Sequence, residues 1–445
     1  MASHSRVFPR NFRKHYPVAV RGEGCWITCA DGRRFLDAAG QAAVVNIGHG
    51  VPEIGRAMAE QSSQLAFAHT SQFHSQPAEE LAARLLQLAP PNFRNGGRVY
   101  FTSGGSEATE TAIKLARQFH LETDQPQRFG IVSRRQSYHG STLGAMAVSG
   151  NVARRSPYQP LLPEWGHIAP CFAYHGAGNL PEDEYAIACA NELETFLHGP
   201  PGHSSAAFIF EPVVGATLGA AVPSEGYIAR IGEICSENKI LLIADEIMSG
   251  MGRTGKPFAI QHWNVEPDII LVGKGIASGY APLGAVLISA PVVKAFERGS
   301  GAFQHGFTYQ AHPVAVAAGN AVLDYLETHN LFERVSSVSK TLRRDLTPLL
   351  DHPHVGDIRG LGLLIGVEFV KDKVSREPFP PGDNIAEHIR QAAMEENVLT
   401  YPTQGCVDGL RGDHILLAPP FILTADESVR IAAALQSALA KVFTH

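Results

Sequence analysis

No apolar run in this sequence exceeds about half a dozen residues, against the ~20 needed to cross a bilayer. The stretch at 240–244, ILLIA, is typical. Membrane spanning by a helix is therefore not expected. Charge of one sign is missing too: 37 Lys and Arg face 43 Asp and Glu, a net charge of −6 with no tail of either sign. A chain that binds nucleic acid concentrates positive charge, so that class has no support. Charged residues make up only 18% against 44% hydrophobic, which is too apolar for a long disordered chain and suits a packed one. Cysteine is sparse, six in 445 residues (Cys25, Cys29, Cys171, Cys189, Cys235, Cys406), and forms no CxxC pair. Reduced thiols of a cytoplasmic protein fit this better than a disulfide framework. The 20 histidines contain no HExxH, so no metal site is expected. Acids are absent from the first 22 residues, which hold Arg6, Arg10, Arg13, Lys14 and Arg21, a faint likeness to a transit peptide. Their prolines and aromatics, and the strand-like stretch that follows at once, assign them to the folded protein.

What is present has a clear order. Around 20–40, Asp31-Gly32 stands between two alternating runs and predicts a hairpin. Over 53–89, Ile54, Met58, Leu65, Leu81, Leu85 and Leu88 recur at helical spacing. Then apolar strand, glycine-rich turn and helix repeat, with strands expected at 98–102, 130–133, 206–211, 240–245, 268–272 and 283–288. Such runs, rich in Val and Ile and apolar on both faces, imply a buried parallel sheet covered by helices, an α/β fold. Further on, Leu331, Val335, Val338, Leu342 and Leu346 form a helical stripe, and GLLIGVEFV reads as a strand. The chain closes with a helix carrying Ile431, Leu435, Leu439 and Val442, opened by a capping box at Thr424 and Glu427. The expected division is a large domain at 55–322 and a smaller α+β domain assembled from 1–54 and 323–445.

Three segments carry chemistry. In VYFTSGGSEA, Gly104 and Gly105 permit close approach of the backbone to an anion. Ser106 is placed to cap a helix beginning at Glu107, whose unpaired amides and positive dipole end suit a phosphate. A tight turn with an ordinary cap would read the same way. In ILLIADEIMSGMGRTG, Asp245 and Glu246 end an apolar strand, a costly place for a carboxylate unless it faces a cation or a polar site. The same segment mimics a nucleotide-binding loop at Gly250-x-x-x-x-Gly255-Lys256. Pro257 stands where the magnesium-binding hydroxyl belongs, and Asp-Glu-Ile-Met-Ser intervenes between strand and turn, so that reading is rejected. In PDIILVGKGIASGY, Lys274 directly follows a buried strand, where desolvation lowers an amine's pKa and makes it a nucleophile or base.

Together with SYHGST, EPVVG and HGFTYQAHP, these blocks closely resemble the class-III (ω-type) pyridoxal-phosphate-dependent aminotransferases of the aspartate-aminotransferase fold, fold type I. The resemblance runs from the hairpin at 22 to Ala-Pro-Pro at 418–420. It implies a mostly parallel seven-stranded sheet in the large domain, pyridoxal 5'-phosphate as cofactor and pyridoxamine 5'-phosphate as its half-reaction form. It further implies a Schiff base on Lys274, Asp245 paired with the ring nitrogen, and Tyr138 and Ile247 on the two ring faces. His139 would lie beside the cofactor in the same block as Tyr138. Gly105 and Ser106 would hold the phosphate, with Thr308 reaching the phosphate of a neighbouring subunit in a homodimer. Glu211 is the acid that in several members neutralises a C-terminal arginine. Amine and keto-acid substrates and ping-pong kinetics follow, while pairing of dimers into tetramers stays open.

Departures from the pattern bear on substrate. Ser141 replaces the arginine that grips 4-aminobutyrate, Met248 a glutamine that bonds the ring oxygen, and Leu416 the arginine that binds α-carboxylates. Arg411, near Gly412-Asp413-His414, is the candidate replacement for the last. An ω-amine or ω-amino-acid aminotransferase using pyruvate or a similar acceptor is therefore expected. Gly40-Gln41 resembles dialkylglycine decarboxylases, with Gln41 orienting the substrate carboxylate, and racemases share the lysine chemistry. Both remain alternatives; a non-catalytic cofactor-binding protein is opposed by the retention of Lys274 and Asp245.

Overall fold

Three strands open the chain: β1 (Ala19–Glu23), β2 (Trp26–Cys29) and β3 (Arg34–Asp37). Gly32 takes φ +85° in the turn joining β2 to β3, a conformation glycine enters without strain, and Thr28 pairs with Arg34 across it. The expected hairpin is present. This computed structural model describes residues 6–443; residues 1–5 and 444–445, the outermost parts of the two expected terminal segments, lie outside the described residues.

The helical stretch expected at 53–89 is two helices, Pro52–Gln64 and Gln76–Leu88. Leu65, read as part of the buried stripe, instead ends the first helix in an extended conformation and is 41% exposed. Pro77 sits in the first turn of the second helix, where its missing N–H costs nothing.

The central sheet has seven strands: β4 (Arg98–Thr102), β5 (Gly130–Arg134), β6 (His167–Ile168), β7 (Ser205–Phe210), β8 (Leu241–Asp245), β9 (Ile269–Val272) and β10 (Gly284–Ile288). Their spatial order is β4-β10-β9-β8-β7-β5-β6, with β10 antiparallel to both neighbours and the remaining pairs parallel. Six match the apolar runs to within a residue or two. The two-residue β6 is too short to leave such a signal. Every residue of β7, β8, β9 and β10 is buried. Each large aliphatic side chain so covered contributes about 1.5–3 kcal/mol relative to exposure. Helix Gly105–Glu122 packs on one face through Ala108, Ala112, Leu115 and Ala116, in a cluster with Ile243, Leu271 and Val286. Small residues on that face let the helix axis sit close to the sheet, which fixes where its N-terminus points.

Beyond helices Pro313–Thr328 and Leu331–Leu346 the chain adds β11 (Val355–Leu361), β12 (Leu364–Phe369), β13 (Val398–Leu399), β14 (Tyr401–Gln404) and β15 (Asp413–Leu417). Four of these form an antiparallel sheet, β11-β12-β15-β14, whereas β13 pairs in parallel with β3 and so ties the opening hairpin to the C-terminal part. The last helix, Ala425–Val442, has its capping box: Thr424 Oγ1 accepts from Glu427 N at 3.2 Å, and Glu427 Oε2 accepts from Thr424 N at 2.9 Å. All six cysteines are free and buried. Among the described residues, no helix is long and apolar enough to cross a membrane.

Candidate active site

Strands β4, β5, β7, β8 and β9 run the same way, and the chemistry-bearing residues follow their carboxyl ends, where open parallel sheets gather ligands. At the end of β8, Asp245 is 3% exposed. Its Oδ2 lies 2.7 Å from His139 Nδ1, and its Oδ1 accepts the Ile247 N–H at 3.1 Å. His139, also buried, is fixed on both sides: its N–H donates to Ser149 Oγ at 2.8 Å and its carbonyl accepts from Thr109 Oγ1 at 2.7 Å. His139 Nε2 is buried without a hydrogen-bond partner. Glu246, the other acid of the pair, turns inward, where Ser249 Oγ and Ile260 N donate to it at 2.5 and 2.7 Å. Burial pushes its carboxyl up to about 7, and it serves the fold rather than the site.

Glu211 follows β7 and is buried. Its two oxygens accept the amides of Tyr138 (3.1 Å) and Gly215 (2.9 Å). Burial raises its pKa, Asp245 adds to the rise, and His139 opposes it. Lys274 follows β9 in the left-handed region, φ +44°, an uncommon setting for a side-chain-bearing residue and one that surrounding structure must enforce. Burial lowers its amine to about 8 against the pull of Asp245 and Glu211. It makes no ion pair with a carboxylate among the described residues.

After β4, the helix begins at Gly105 rather than at the expected Glu107, so Ser106 is not its cap. Glu107 Oε2 instead accepts from Ser103 N at 2.8 Å. The first backbone bond of the helix runs from Ala108 N to Gly104 O, leaving three amides, Gly105 to Glu107, with no helical carbonyl behind them. Ser106 Oγ accepts from Ser141 N at 3.0 Å and joins this helix to the Tyr138 segment. Ile247 is wedged against two glycines. A Cβ on Gly105 would sit 3.1 Å from its side chain, and one on Gly273 2.8 Å.

The residues brought to this edge are thus Gly105, Ser106, Tyr138, His139, Glu211, Asp245, Ile247 and Lys274. Three sequence candidates are elsewhere. Arg411 is 54% exposed at its side chain and its Nε pairs with Asp408 Oδ2 at 2.7 Å. Thr308 is exposed on a surface hollow of about 530 Å³ lined also by Thr70, Tyr100 and His305. Gln41 is exposed within a run in which Gly40, Gln41, Ala42 and Ala43 all have positive φ, 50° to 66°.

Sequence reading passed over three arginines. Buried Arg134 donates from Nη2 to Glu211 O at 2.5 Å. Buried Arg253 bridges Pro419 O (2.5 Å) and Asn46 Oδ1 (2.8 Å), joining segments far apart in the chain, and burial lowers it to about 9. Arg154 lies over the Tyr138 ring, 4.7 Å from its centroid. The signal for Arg134 was the one used for Asp245 and Lys274, a charge ending an apolar strand.

An amine whose pKa burial lowers to about 8, an acid aligned by an imidazole and an amide, and a helix end without a side-chain cap would together receive a phosphorylated pyridine aldehyde. The class-III aminotransferase family matches over residues 7–439. The chain belongs to that family. Relatives of this aminotransferase include an uncharacterized aminotransferase of Bacillus subtilis (strain 168), 37% identical and covering 93% of this chain and 92% of the relative. The diaminobutyrate–2-oxoglutarate transaminase of Halomonas elongata is 33% identical, over 96% and 90%. Among solved structures, an (S)-enantioselective omega-transaminase from Thermomicrobium roseum superposes with a TM-score of 0.92 at 37% identity, covering 99% of this chain and 97% of that one. An amine transaminase from an uncultivated Pseudomonas species, in its PLP-bound form, gives 0.92 at 34%, over 99% and 100%. The aminotransferase is pyridoxal-phosphate-dependent, and the groups just described fit that cofactor.

Two departures from the family pattern meet in space. Leu416, 1% exposed, and Met248 belong to one apolar cluster with Ala43, Val213, Leu364 and Ala418. Met248 Sδ occupies the space a Cβ on Gly215 would need, beside the Glu211 carboxylate. The third, Ser141, bonds its Oγ to Tyr138 Oη at 2.9 Å.

Proposed function

We propose that this aminotransferase carries an amino group from an ω-amine or ω-amino acid to a small keto acid such as pyruvate, in two ping-pong half-reactions. The observation that carries the choice of donor is the Leu416–Met248 cluster. Apolar side chains stand where the family pattern has a cation and an amide, and desolvating a charged group against them is costly. The solved omega-transaminase and amine transaminase it resembles support the same reading.

Pyridoxal phosphate, when bound, supplies an aldehyde carbon that exchanges amines and a ring that takes up electrons released at the substrate carbon. The chain's own groups do the rest. Lys274 Nζ, whose hold on its proton is weakened by burial, takes a proton from the substrate carbon and returns one, as base and then acid. Asp245, aligned by His139 and the Ile247 amide, keeps a proton on the ring nitrogen. Tyr138 and Ile247 hold the ring between them, and the amides of Gly105 and Ser106 bind phosphate at the helix end. Thr308 completes the phosphate site of a partner protomer in a homodimer. The large domain is taken as 55–322 and the smaller one as 1–54 with 323–445, in a cytoplasmic protein.

A panel of amine donors against pyruvate and 2-oxoglutarate, followed by the cofactor's absorbance, tests this. Fast half-reactions with apolar amines and pyruvate are expected. Release of carbon dioxide, or loss of optical activity without a keto acceptor, would move the assignment to a decarboxylase or a racemase.

A further inference from the structure

A keto acid brings a carboxylate, and the two positions where the family pattern offers it an arginine are Ser141 and Leu416 here. A carboxylate beside Leu416 and Met248 needs a cation from elsewhere. Arg411 is already paired with Asp408, whose Oδ1 also accepts the Arg411 and Leu410 amides at 2.7 and 2.9 Å, a self-contained loop. Arg155 spends its guanidinium on Ser149 O (3.1 Å) and His167 Nε2 (3.1 Å).

Arg154 differs from both. Its guanidinium lies on the Tyr138 ring, its side chain is exposed, and it forms no ion pair with a carboxylate among the described residues. Asn151 Oδ1 accepts its backbone N–H at 3.0 Å, which anchors the base of the side chain. Its charge is felt at Lys274, where it opposes protonation of the amine. The guanidinium is thus within electrostatic reach of the group that handles the substrate carbon. A stacking contact at a half-buried ring is weaker than a pair of charge-assisted hydrogen bonds, so an arriving carboxylate draws it away from Tyr138.

We propose that Arg154 is the residue that binds the substrate carboxylate in the keto-acid half-reaction, an assignment that rests on the function proposed above. An amine without a carboxylate leaves Arg154 stacked on Tyr138, and one site then serves both partners of the exchange.

The test uses the holoenzyme with 1-phenylethylamine as donor and either pyruvate or butanal as acceptor. In Arg154→Leu, the ratio of kcat/KM for pyruvate to that for butanal should fall by ~10–100-fold, chiefly through KM for pyruvate, with Arg154→Lys in between. Calorimetric titration with propanoate, an unreactive carboxylate, should weaken by a similar factor. An unchanged ratio overturns the proposal, as does a parallel loss with both acceptors while propanoate still binds. A loss of the ratio in Arg411→Ala, with Arg154→Leu unaffected, overturns it in favour of Arg411. If the unaltered enzyme transfers to neither acceptor, the reading of function fails, and the propanoate titration still decides Arg154.

Discussion

His139 Nδ1 lies 2.7 Å from Asp245 Oδ2 with both side chains buried, and the carboxylate's other oxygen accepts the Ile247 amide. The acid proposed to face the cofactor ring is therefore aimed by a second residue. Asp245→Asn should lower kcat by ~100-fold or more, and His139→Asn by less, since positioned proton-holding groups contribute on that scale. Single-turnover kinetics with a saturating amine separate the two. Equal losses would show that His139 acts as more than an aligner.

Burial lowers Lys274 to about 8, whereas an unfolded lysine keeps its proton to about 10.5. Between those values the unfolded chain binds more protons, so the cofactor-free protein gains stability as pH rises from 8 to 10.5. Below about 8 the whole penalty of a charged, buried amine is present. Lys274→Met should stabilise the apo protein at pH 7 by at most about 3 kcal/mol and so raise its Tm, with the gain shrinking above pH 8 and absent near 10.5. Scanning calorimetry of the apo protein across this range checks it. A gain that does not change with pH would trace instead to packing of the apolar side chain.

Gly273→Ala puts a methyl 2.8 Å from Ile247 Cδ1, and the wedge has Gly105 on its other side. The backbone there is extended, so the cost is crowding alone, about 1–3 kcal/mol. Pyridoxal phosphate retention after dialysis should drop. Adding Ile247→Val should restore part of it; no recovery in the double variant would mean that the crowding lies elsewhere.

Restoring an arginine at 416 should harm rather than help. Leu416→Arg places a charge in the cluster of Met248, Val213 and Leu364, at a cost on the order of 3–5 kcal/mol for an unpaired buried ion. Thermal unfolding should show a clear fall in Tm, with no new turnover of 2-oxoglutarate. A stable variant would show that Glu211 can reach the new cation.

Thr308 is exposed on its own protomer, yet its proposed task is phosphate binding. Thr308→Val should weaken cofactor retention without lowering the Tm of the apo chain. A dimer mixing this variant with Lys274→Ala keeps one intact composite site, so about half the activity should survive there.

The central sheet was readable because β7 to β10 are buried on both faces and so appear as apolar runs, and the runs of β7, β8 and β9 end at or just before a charge that apolar burial cannot explain. Asp245 and Lys274 stood out by that mismatch. Arg134 carried the same mark and was missed, since its partner is a backbone carbonyl that no pattern announces. The break between Gln64 and Gln76 was marked by Pro77 and by the gap in the stripe between Leu65 and Leu81, signals that the regular spacing on either side masked. The left-handed run at 40–43 has only one glycine, and its conformation is set by contacts such as Asp37 Oδ1 accepting the Gln41 amide. Arg154 could not be found by spacing either. Its interest lies in what it stacks on, and a ring sixteen positions upstream comes near only after the short helix Leu143–Val148 has turned the chain back.

One strand runs against the rest. Because β10 is reversed, the chain leaves the sheet at Val272, presents Lys274, and rejoins the sheet at Gly284 on the same edge, beside Gly104. The amine therefore hangs on a short leash fastened at both ends to the most rigid layer of the molecule. Loops that shape donor choice can be rewritten, by drift or by an engineer, without shifting the reactive nitrogen from its station.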